Sequence, residues 1–104
     1  MNNERYNINY LPIAKKDLEK IIDYIQTDNP DAALKLLEKI DESISQLKDF
    51  PYKGKSPKDD HLQSKDYHML VVKSYLVFYV VNENDNEVEI RRILHGKRKY
   101  KFLL

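Results

Sequence analysis

The chain has 104 residues, of which 41% are hydrophobic and 34% charged, and it contains no cysteine and no tryptophan. This length predicts a single domain over residues 1–104, with a core large enough to fold without disulfides or a structural metal. The missing cysteines exclude a disulfide scaffold, a thiolate zinc site and a cysteine nucleophile. No apolar run approaches the roughly 20 residues of a membrane-spanning helix, and residues 1–5 do not resemble a signal peptide. We therefore expect a cytoplasmic protein that does not interact with membranes.

The net charge of +1 hides an asymmetry along the chain. Residues 1–50 contain seven Lys or Arg and ten Asp or Glu, a net charge of −3, whereas residues 51–104 contain eleven and seven, a net charge of +4. The C-terminal segment from Ile90 contains six basic residues and no acidic one: Arg91, Arg92, Lys97, Arg98, Lys99 and Lys101. Such a segment suits a polyanion or an acidic protein segment. The alternative is a solvated tail that serves only solubility.

The N-terminal half predicts a strand followed by two helices. Residues 6–11 alternate large and polar side chains, which is the period of a half-buried strand. Apolar residues then recur at helical spacing over residues 13–27, and a second helix extends from Pro30 to about Asp49, with Asn29 as its N-cap. The short connection predicts an antiparallel helical hairpin. The two apolar stripes are Ala14, Leu18, Ile21, Ile22 and Ile25, and Ala33, Leu37, Ile40, Ile44 and Leu47.

The C-terminal half predicts a three-stranded meander. Residues 51–66 are polar and without a clear period, which predicts a loop with room for one short strand. Residues 67–72 and 75–81 are rich in β-forming residues and flank a two-residue turn, and a second turn at residues 82–86 leads to a strand at residues 87–95. Gly96 ends that strand. The predicted fold is α+β, with the order β-α-α-β-β-β and the helical hairpin packed on a mostly antiparallel sheet.

Three segments carry a resemblance to a known family: Leu47–Pro51, Tyr75–Tyr79 and Val88–Arg98. Together with the order of the elements, they resemble the RelE/ParE superfamily, the toxins of bacterial type II toxin–antitoxin modules. The resemblance extends over nearly the whole chain. It implies a toxin that arrests growth, needs no cofactor and is held inactive in a hetero-oligomer with a cognate antitoxin.

The superfamily has two classes of target. Toxins similar to RelE cut mRNA in the ribosomal decoding site with clustered cations and a C-terminal tyrosine, and toxins similar to ParE inhibit DNA gyrase. The triplet Gly96-Lys97-Arg98 matches the RelE arrangement, but Leu76 follows Tyr75 where RelE-like nucleases carry an arginine. One transition-state donor is worth about 2.7–4 kcal/mol. We therefore favour gyrase inhibition, with a ribosome-dependent mRNA endoribonuclease or a non-toxic basic nucleic-acid-binding module as alternatives.

The candidate site residues follow from this resemblance and from the basic segment. If the protein is a nuclease, the resemblance makes Arg98, Tyr100 and His95 the catalytic candidates, with a structural role as the alternative for His95. Arg92 lies within a predicted strand, so a structural ion pair is its alternative role. The candidates for binding the target or the antitoxin are Arg91, Arg92, Lys97, Arg98, Lys99, Lys101, Tyr75, Tyr79, Lys53 and Lys55.

The tyrosines of the central predicted strand are also candidates for contact. Tyr75 and Tyr79 share one face of this strand, and Leu76, Phe78 and Val80 share the other. Because the apolar set is the natural core, we expect the tyrosines on an accessible face, where they stack on bases or meet an antitoxin strand. The alternative is an ordinary sheet surface. The three histidines are isolated in the sequence, so we expect no metal site.

Overall fold

A computed structural model of the protein describes residues 5–100 and 103–104. The predicted order of one strand, two helices and three strands is confirmed, with an additional short helix and, after the second helix, a 3₁₀ turn at Gln46–Lys48. The elements are β1 (Asn7–Tyr10), α1 (Pro12–Asp28), α2 (Pro30–Ser45), α3 (Asp60–Ser64), β2 (His68–Val72), β3 (Tyr75–Asn82) and β4 (Glu87–His95).

The helical hairpin turns at one residue. The N–H of Asn29 donates to the Ile25 carbonyl at 2.9 Å and closes α1, and the Asn29 side chain accepts from the Ala32 N–H at 3.1 Å and opens α2. Pro30 occupies the first position of α2, where its missing N–H has no cost. Because the same residue ends one helix and begins the next, the two helices fold back on each other as predicted.

The apolar stripes of the two helices face the sheet, with one difference from the prediction. The α1 stripe packs against the core as expected, and so do Ile40 and Ile44 of α2. Leu36 takes the place predicted for Leu37 and is only 8% exposed, whereas Leu37 is half-buried. A shift of one residue is within the width of an apolar helical stripe, so period alone does not choose between adjacent leucines.

The four strands form one mixed sheet in the order β1-β4-β3-β2. β1 pairs with β4 in parallel, and the other two pairs are antiparallel. Phe78 lies opposite Arg92 and Tyr79 lies opposite Ile90, so Arg91 is an extra residue in β4 that forms a bulge. The bulge shifts by one residue the alternation of β4 side chains between the two faces of the sheet.

Both faces of the sheet are covered. The larger cluster, between the sheet and the two long helices, contains Ala14, Leu36, Ile40, Ile44, Leu47, Leu70, Val72, Val77, Tyr79, Val88, Ile90 and Ile93. A smaller cluster on the opposite face, which we call the reverse-face cluster, is built on Leu62, Tyr67, Phe78 and Leu94, and is bordered by Met69, Leu76, Val80, Tyr100, Leu103 and Leu104.

The expectation of an accessible tyrosine face is wrong. Tyr79 is 0% exposed and lies in the cluster under the helices, and Tyr75 is half-buried against the same cluster. Phe78, on the other face of β3, is also fully buried, in the reverse-face cluster. Alternation separates the two faces of a strand but does not say which one meets the helices when both are apolar.

The predicted loop contains the additional helix, α3. The Asp59 side chain accepts from the Leu62 N–H at 3.1 Å, which caps the first turn. The segment also supplies one residue that pairs with the edge of the sheet, since Lys55 exchanges two backbone hydrogen bonds of 2.8 Å with Met69 of β2. A five-residue helix with one buried leucine is too short to show a period.

Candidate target-binding surface

The inner part of the basic segment is held by a carboxylate. β1 ends at Tyr10, opposite Ile90, and β4 continues beyond it, so the next outward-facing N–H of β4 has no strand partner. Asp17 of α1 takes this place: its carboxylate accepts from the Ile93 N–H at 3.0 Å and from two guanidinium nitrogens of Arg92, both at 2.8 Å. The hydrogen bonds that Arg92 donates to Asp17 raise the pKa of Arg92, although burial opposes them.

Arg92 therefore has a structural role, and its guanidinium is not available to bind a partner. Its side chain is 12% exposed and that of Asp17 is 9% exposed. The candidate binding role of Arg92 is thus corrected to its alternative, an internal ion pair. A carboxylate with three donors thus satisfies the open edge of β4 where β1 stops.

Arg91, the bulge residue, is partly available. Its Nε donates to Glu89 at 2.7 Å, and its guanidinium lies 5.8 Å from the centroid of the Tyr67 ring. Burial disfavours the charge, but bonds with Tyr67 and Glu89 hold the pKa of Arg91 above its ordinary value. The side chain is 40% exposed, so one side of the guanidinium faces solvent.

The chain leaves β4 through a tight turn that His95 organises. The Gly96 N–H donates to the Ser74 carbonyl at 2.8 Å, and the Arg98 N–H donates to the His95 carbonyl at 3.0 Å. The Nδ1 atom of His95 accepts from the Lys97 N–H at 3.1 Å, and its ring lies edge-on to Tyr75 at 5.3 Å. These contacts give His95 a structural role in the turn, and its Nδ1 is occupied by the hydrogen bond from Lys97.

Three consecutive cations project from this turn. Lys97, Arg98 and Lys99 are all exposed, and so is Lys73 in the neighbouring turn between β2 and β3. Over the part of the chain that the structure describes, none of the four forms an ion pair with a carboxylate. We call these four residues the terminal basic cluster. Its charge is free to meet an external anion.

The remaining nuclease candidate, Tyr100, lies away from the terminal basic cluster, and one of the binding candidates lies outside the described part. Tyr100 is half-buried in the reverse-face cluster, where its ring centroid lies 4.9 Å from that of Phe78. It holds the chain end against the sheet together with Leu103 and Leu104. Lys101 lies outside the described residues.

The two candidate lysines of the loop are separate from the terminal basic cluster. Lys55 pairs with the outer edge of β2, three strand spacings, or about 14 Å, from β4. Lys53 donates from its Nζ to the Gln46 side chain. Both are exposed. The fold therefore presents two basic surfaces, one at the end of β4 and one beside β2.

The described part of the chain, residues 5–100 and 103–104, contains no candidate metal site near either surface. This part of the chain holds no group of three His, Asp or Glu side chains arranged to bind a metal ion. Burial lowers the pKa of His68, and its Nδ1 is enclosed without a hydrogen-bond partner. None of the helices described is long and apolar enough to span a bilayer.

The comparison with family models is decisive for the family. Residues 8–100 match the model of the ParE toxin of the type II toxin–antitoxin system parDE. The chain belongs to the ParE toxin family. A search of curated proteins gave no significant match.

Solved structures support the fold assignment of this ParE-family chain. A chromosomal ParDE toxin–antitoxin system from P. aeruginosa matches with a TM-score of 0.73 and 19% identity over 89% of this chain and 98% of that one. The RelBE2 toxin–antitoxin complex from Mycobacterium tuberculosis matches with a TM-score of 0.63 and 18% identity, covering 90% and 94%. The intact E. coli RelBE complex matches at 0.50 and 16%, covering 89% and 99%. The RelE/ParE-like fold expected from the sequence is thereby confirmed.

Sequence reasoning missed two features of this ParE-family chain. Asp17 was not identified as a structural acceptor, although it is a lone acid that interrupts the apolar side of α1 between Ala14 and Leu18. Phe50 and Tyr52 were not identified as surface residues, yet they are 66% and 53% exposed. The signal for Asp17 was present in the helical pattern, whereas exposure of the two rings depends on how the loop packs.

Proposed function

We propose that this chain is the toxin of a type II toxin–antitoxin module, that it arrests growth by inhibiting DNA gyrase in the cytoplasm, and that a cognate antitoxin neutralises it in a hetero-oligomer. Membership of the ParE family supports the toxin role. The matching structures from P. aeruginosa, M. tuberculosis and E. coli are described as toxin–antitoxin systems or complexes, which supports an antitoxin partner.

The terminal basic cluster is the observation that carries the target assignment. It is a set of exposed cations on two neighbouring turns, which the hydrogen bond from the Gly96 N–H to the Ser74 carbonyl joins. Arg98 is its central member, and its planar guanidinium suits a carboxylate or a phosphate of a large target. Such a cluster is sufficient for binding and steering, which is all that an inhibitor needs.

The positions of the other candidates favour binding over RNA cleavage. Cleavage without a metal needs a base, a charge-stabilising donor and an acid that converge on one phosphate. Leu76 takes the place of the arginine of RelE-like nucleases, the Tyr100 ring packs on Phe78, and the Nδ1 of His95 is occupied by a turn. The exposed Arg98 in the Gly96-Lys97-Arg98 triplet is the one feature that favours the nuclease alternative.

The test is a pair of assays on the purified wild-type chain: inhibition of gyrase supercoiling with detection of cleavage complexes, and cleavage of mRNA on programmed ribosomes. We expect gyrase inhibition that Arg98→Ala weakens about 10–100-fold, since a hydrogen bond to a charged group is worth about 1.5–3 kcal/mol. Lys35→Ala, which removes an exposed cation of α2, is the matched control and leaves inhibition unchanged.

The other results identify the alternatives. Ribosome-dependent mRNA cleavage with gyrase unaffected contradicts the gyrase proposal and supports the endoribonuclease. A chain that affects neither target and does not slow growth when overexpressed contradicts the toxin role, and leaves the basic nucleic-acid-binding module.

A further inference from the structure

The loop after α2 begins with a tight turn that displays two aromatic rings. The Lys53 N–H donates to the Phe50 carbonyl at 3.1 Å, and Pro51 occupies the second position, where its fixed φ suits such a turn. Pro51 is buried beneath the turn, whereas Phe50 and Tyr52 remain 66% and 53% exposed. We call residues 50–53 the aromatic turn.

The segment that includes the aromatic turn is fastened to the sheet by independent contacts. The Gly54 N–H donates to the hydroxyl of the buried Tyr79 at 2.9 Å, and Lys55 pairs with Met69 through two backbone bonds of 2.8 Å. A Cβ at Gly54 would lie 2.7 Å from the Tyr79 hydroxyl oxygen and 2.9 Å from the Met69 carbonyl oxygen, so only glycine allows this close approach.

Tyr52 is held in a fixed orientation as well. Its hydroxyl donates to the Glu83 carboxylate, which also accepts from Tyr6, and its ring lies edge-on to His68 at 5.4 Å. The hydrogen bond to Glu83 raises the pKa of Tyr52 to about 12, so the hydroxyl remains a donor even in mildly alkaline solution. The exposed ring is therefore preorganised, which lowers the entropy lost when a partner binds.

The aromatic turn encloses a shallow cavity of about 650 Å³, lined by Gln46, Asp49, Phe50, Pro51, Tyr52 and Lys53. The floor and sides are formed mainly by the two rings and the proline. A rigid concave apolar surface that remains in water is typical of an interaction site. The concave shape suits an apolar side chain better than a stacked base, which needs an open ring face.

The charge around the cavity is positive. Asp49, the carboxylate that lines the cavity, is paired with Arg5 at 2.8 Å, whereas Glu83 accepts hydrogen bonds from two neutral tyrosines and keeps its negative charge. Lys53 lines the cavity and Lys55 follows it two residues later; both are exposed, and in the residues that the structure describes neither forms an ion pair with a carboxylate. The rim therefore complements acidic groups.

We propose that the aromatic turn is a docking site for an acidic segment of the antitoxin, which inserts an apolar side chain between Phe50 and Tyr52 and places carboxylates against Lys53 and Lys55. This inference rests on the proposed function, because the partner is the antitoxin of that function. It adds a surface that is distinct from the terminal basic cluster, and it gives the loop lysines a partner of defined chemistry.

The test uses isothermal titration to measure the affinity of the purified chain for its cognate antitoxin. We expect Phe50→Ala to weaken binding at least tenfold. Lys53→Glu weakens it similarly, and its effect shrinks as salt rises. The matched controls are Tyr24→Ala and Leu34→Ala, which remove apolar side chains that are 81% and 56% exposed on the helices, and they change the affinity less than twofold. Circular dichroism verifies that every variant is folded.

The outcomes separate this inference from the proposed function. If the wild-type chain binds the antitoxin and Phe50→Ala binds it equally well, the docking site is wrong and the toxin assignment stands. If the wild-type chain does not bind the antitoxin, both are wrong. The last measurement is the binding of a fluorescein-labelled 12-nucleotide oligouridylate to the wild-type chain and to Phe50→Ala. If Phe50→Ala loses RNA binding while its affinity for the antitoxin is unchanged, the docking site is wrong and the aromatic turn is an RNA-binding surface.

Discussion

Two groups of cations within one basic run of the sequence differ in what surrounds them. Arg91 and Arg92, inside β4, each form an ion pair with a carboxylate, whereas Lys97, Arg98 and Lys99, a few residues later, are exposed and form none in the described part of the chain. All five side chains are cationic at neutral pH. The difference is the number of acceptors that the fold brings to each position, so charge in a sequence is not a measure of charge available to a partner.

The cause of this difference is the length of β1. This strand covers β4 only as far as Ile90, and the next stretch of β4 receives its acceptor from Asp17 of α1. Beyond His95 the acceptors that the fold provides are the carbonyls of Ser74 and His95 and the Nδ1 atom of His95, and none of them is a carboxylate. The inner cations are therefore part of the framework, and the outer ones remain free for binding.

The largest expected effect comes from removing the inner acceptor. Asp17→Leu leaves Arg92 buried without its partner and the Ile93 N–H without its acceptor, so we expect the free energy of unfolding to fall by about 3–5 kcal/mol. Urea denaturation followed by circular dichroism measures this change. A loss below about 1 kcal/mol would show that the internal ion pair does not hold β4.

The double variant Asp17→Leu/Arg92→Leu is the control for this prediction. Replacing both members of a buried ion pair by apolar residues is often neutral. We therefore expect it to recover most of the stability lost in the single variant. The Ile93 N–H still lacks an acceptor, so its amide hydrogen exchanges faster than in the wild type.

A smaller effect is expected for the partly exposed pair between Glu89 and Arg91. With side-chain exposures of 24% and 40%, this pair is screened by solvent, and a double-mutant cycle with Glu89→Gln and Arg91→Gln should give a coupling free energy of about 0.2–1 kcal/mol. The coupling decreases in 1 M salt. A coupling free energy as large as the stability lost in Asp17→Leu would contradict the expectation that the ion pair of Arg92 stabilises the fold more than that of Arg91.

The parts of the fold that were predictable from the sequence depend on local signals. The helical hairpin follows from apolar residues at a period of 3.6 and from Asn29-Pro30, whose capping geometry involves only neighbouring residues. The order of the strands along the chain follows from short β-rich runs between turn residues. These features need no knowledge of what packs against them.

The parts that were missed depend on contacts between distant residues. Asp17 and Arg92 are 75 positions apart, and no local pattern pairs them. The burial of Tyr79 could not be predicted because both faces of β3 are apolar and because the hydroxyl is satisfied by Gly54, 25 positions away. Lys97, Arg98 and Lys99 were predicted as part of a charged run, but their separation from the inner arginines and the addition of Lys73 to the terminal basic cluster required the fold.

The smallest expected effect is the change in the stability of the protein when a cation of the outer group is removed. Arg98 is exposed and has no ion-pair partner among the described residues, so Arg98→Ala should change the free energy of unfolding by less than about 0.5 kcal/mol, as is usual for surface substitutions. Urea denaturation is again the measurement, with Arg92→Ala as the comparison from the inner group. Because the gyrase assay is expected to respond strongly to Arg98→Ala, an unchanged stability separates a binding role from a structural one. A loss above about 1 kcal/mol would instead mean that Arg98, like Arg92, is part of the framework.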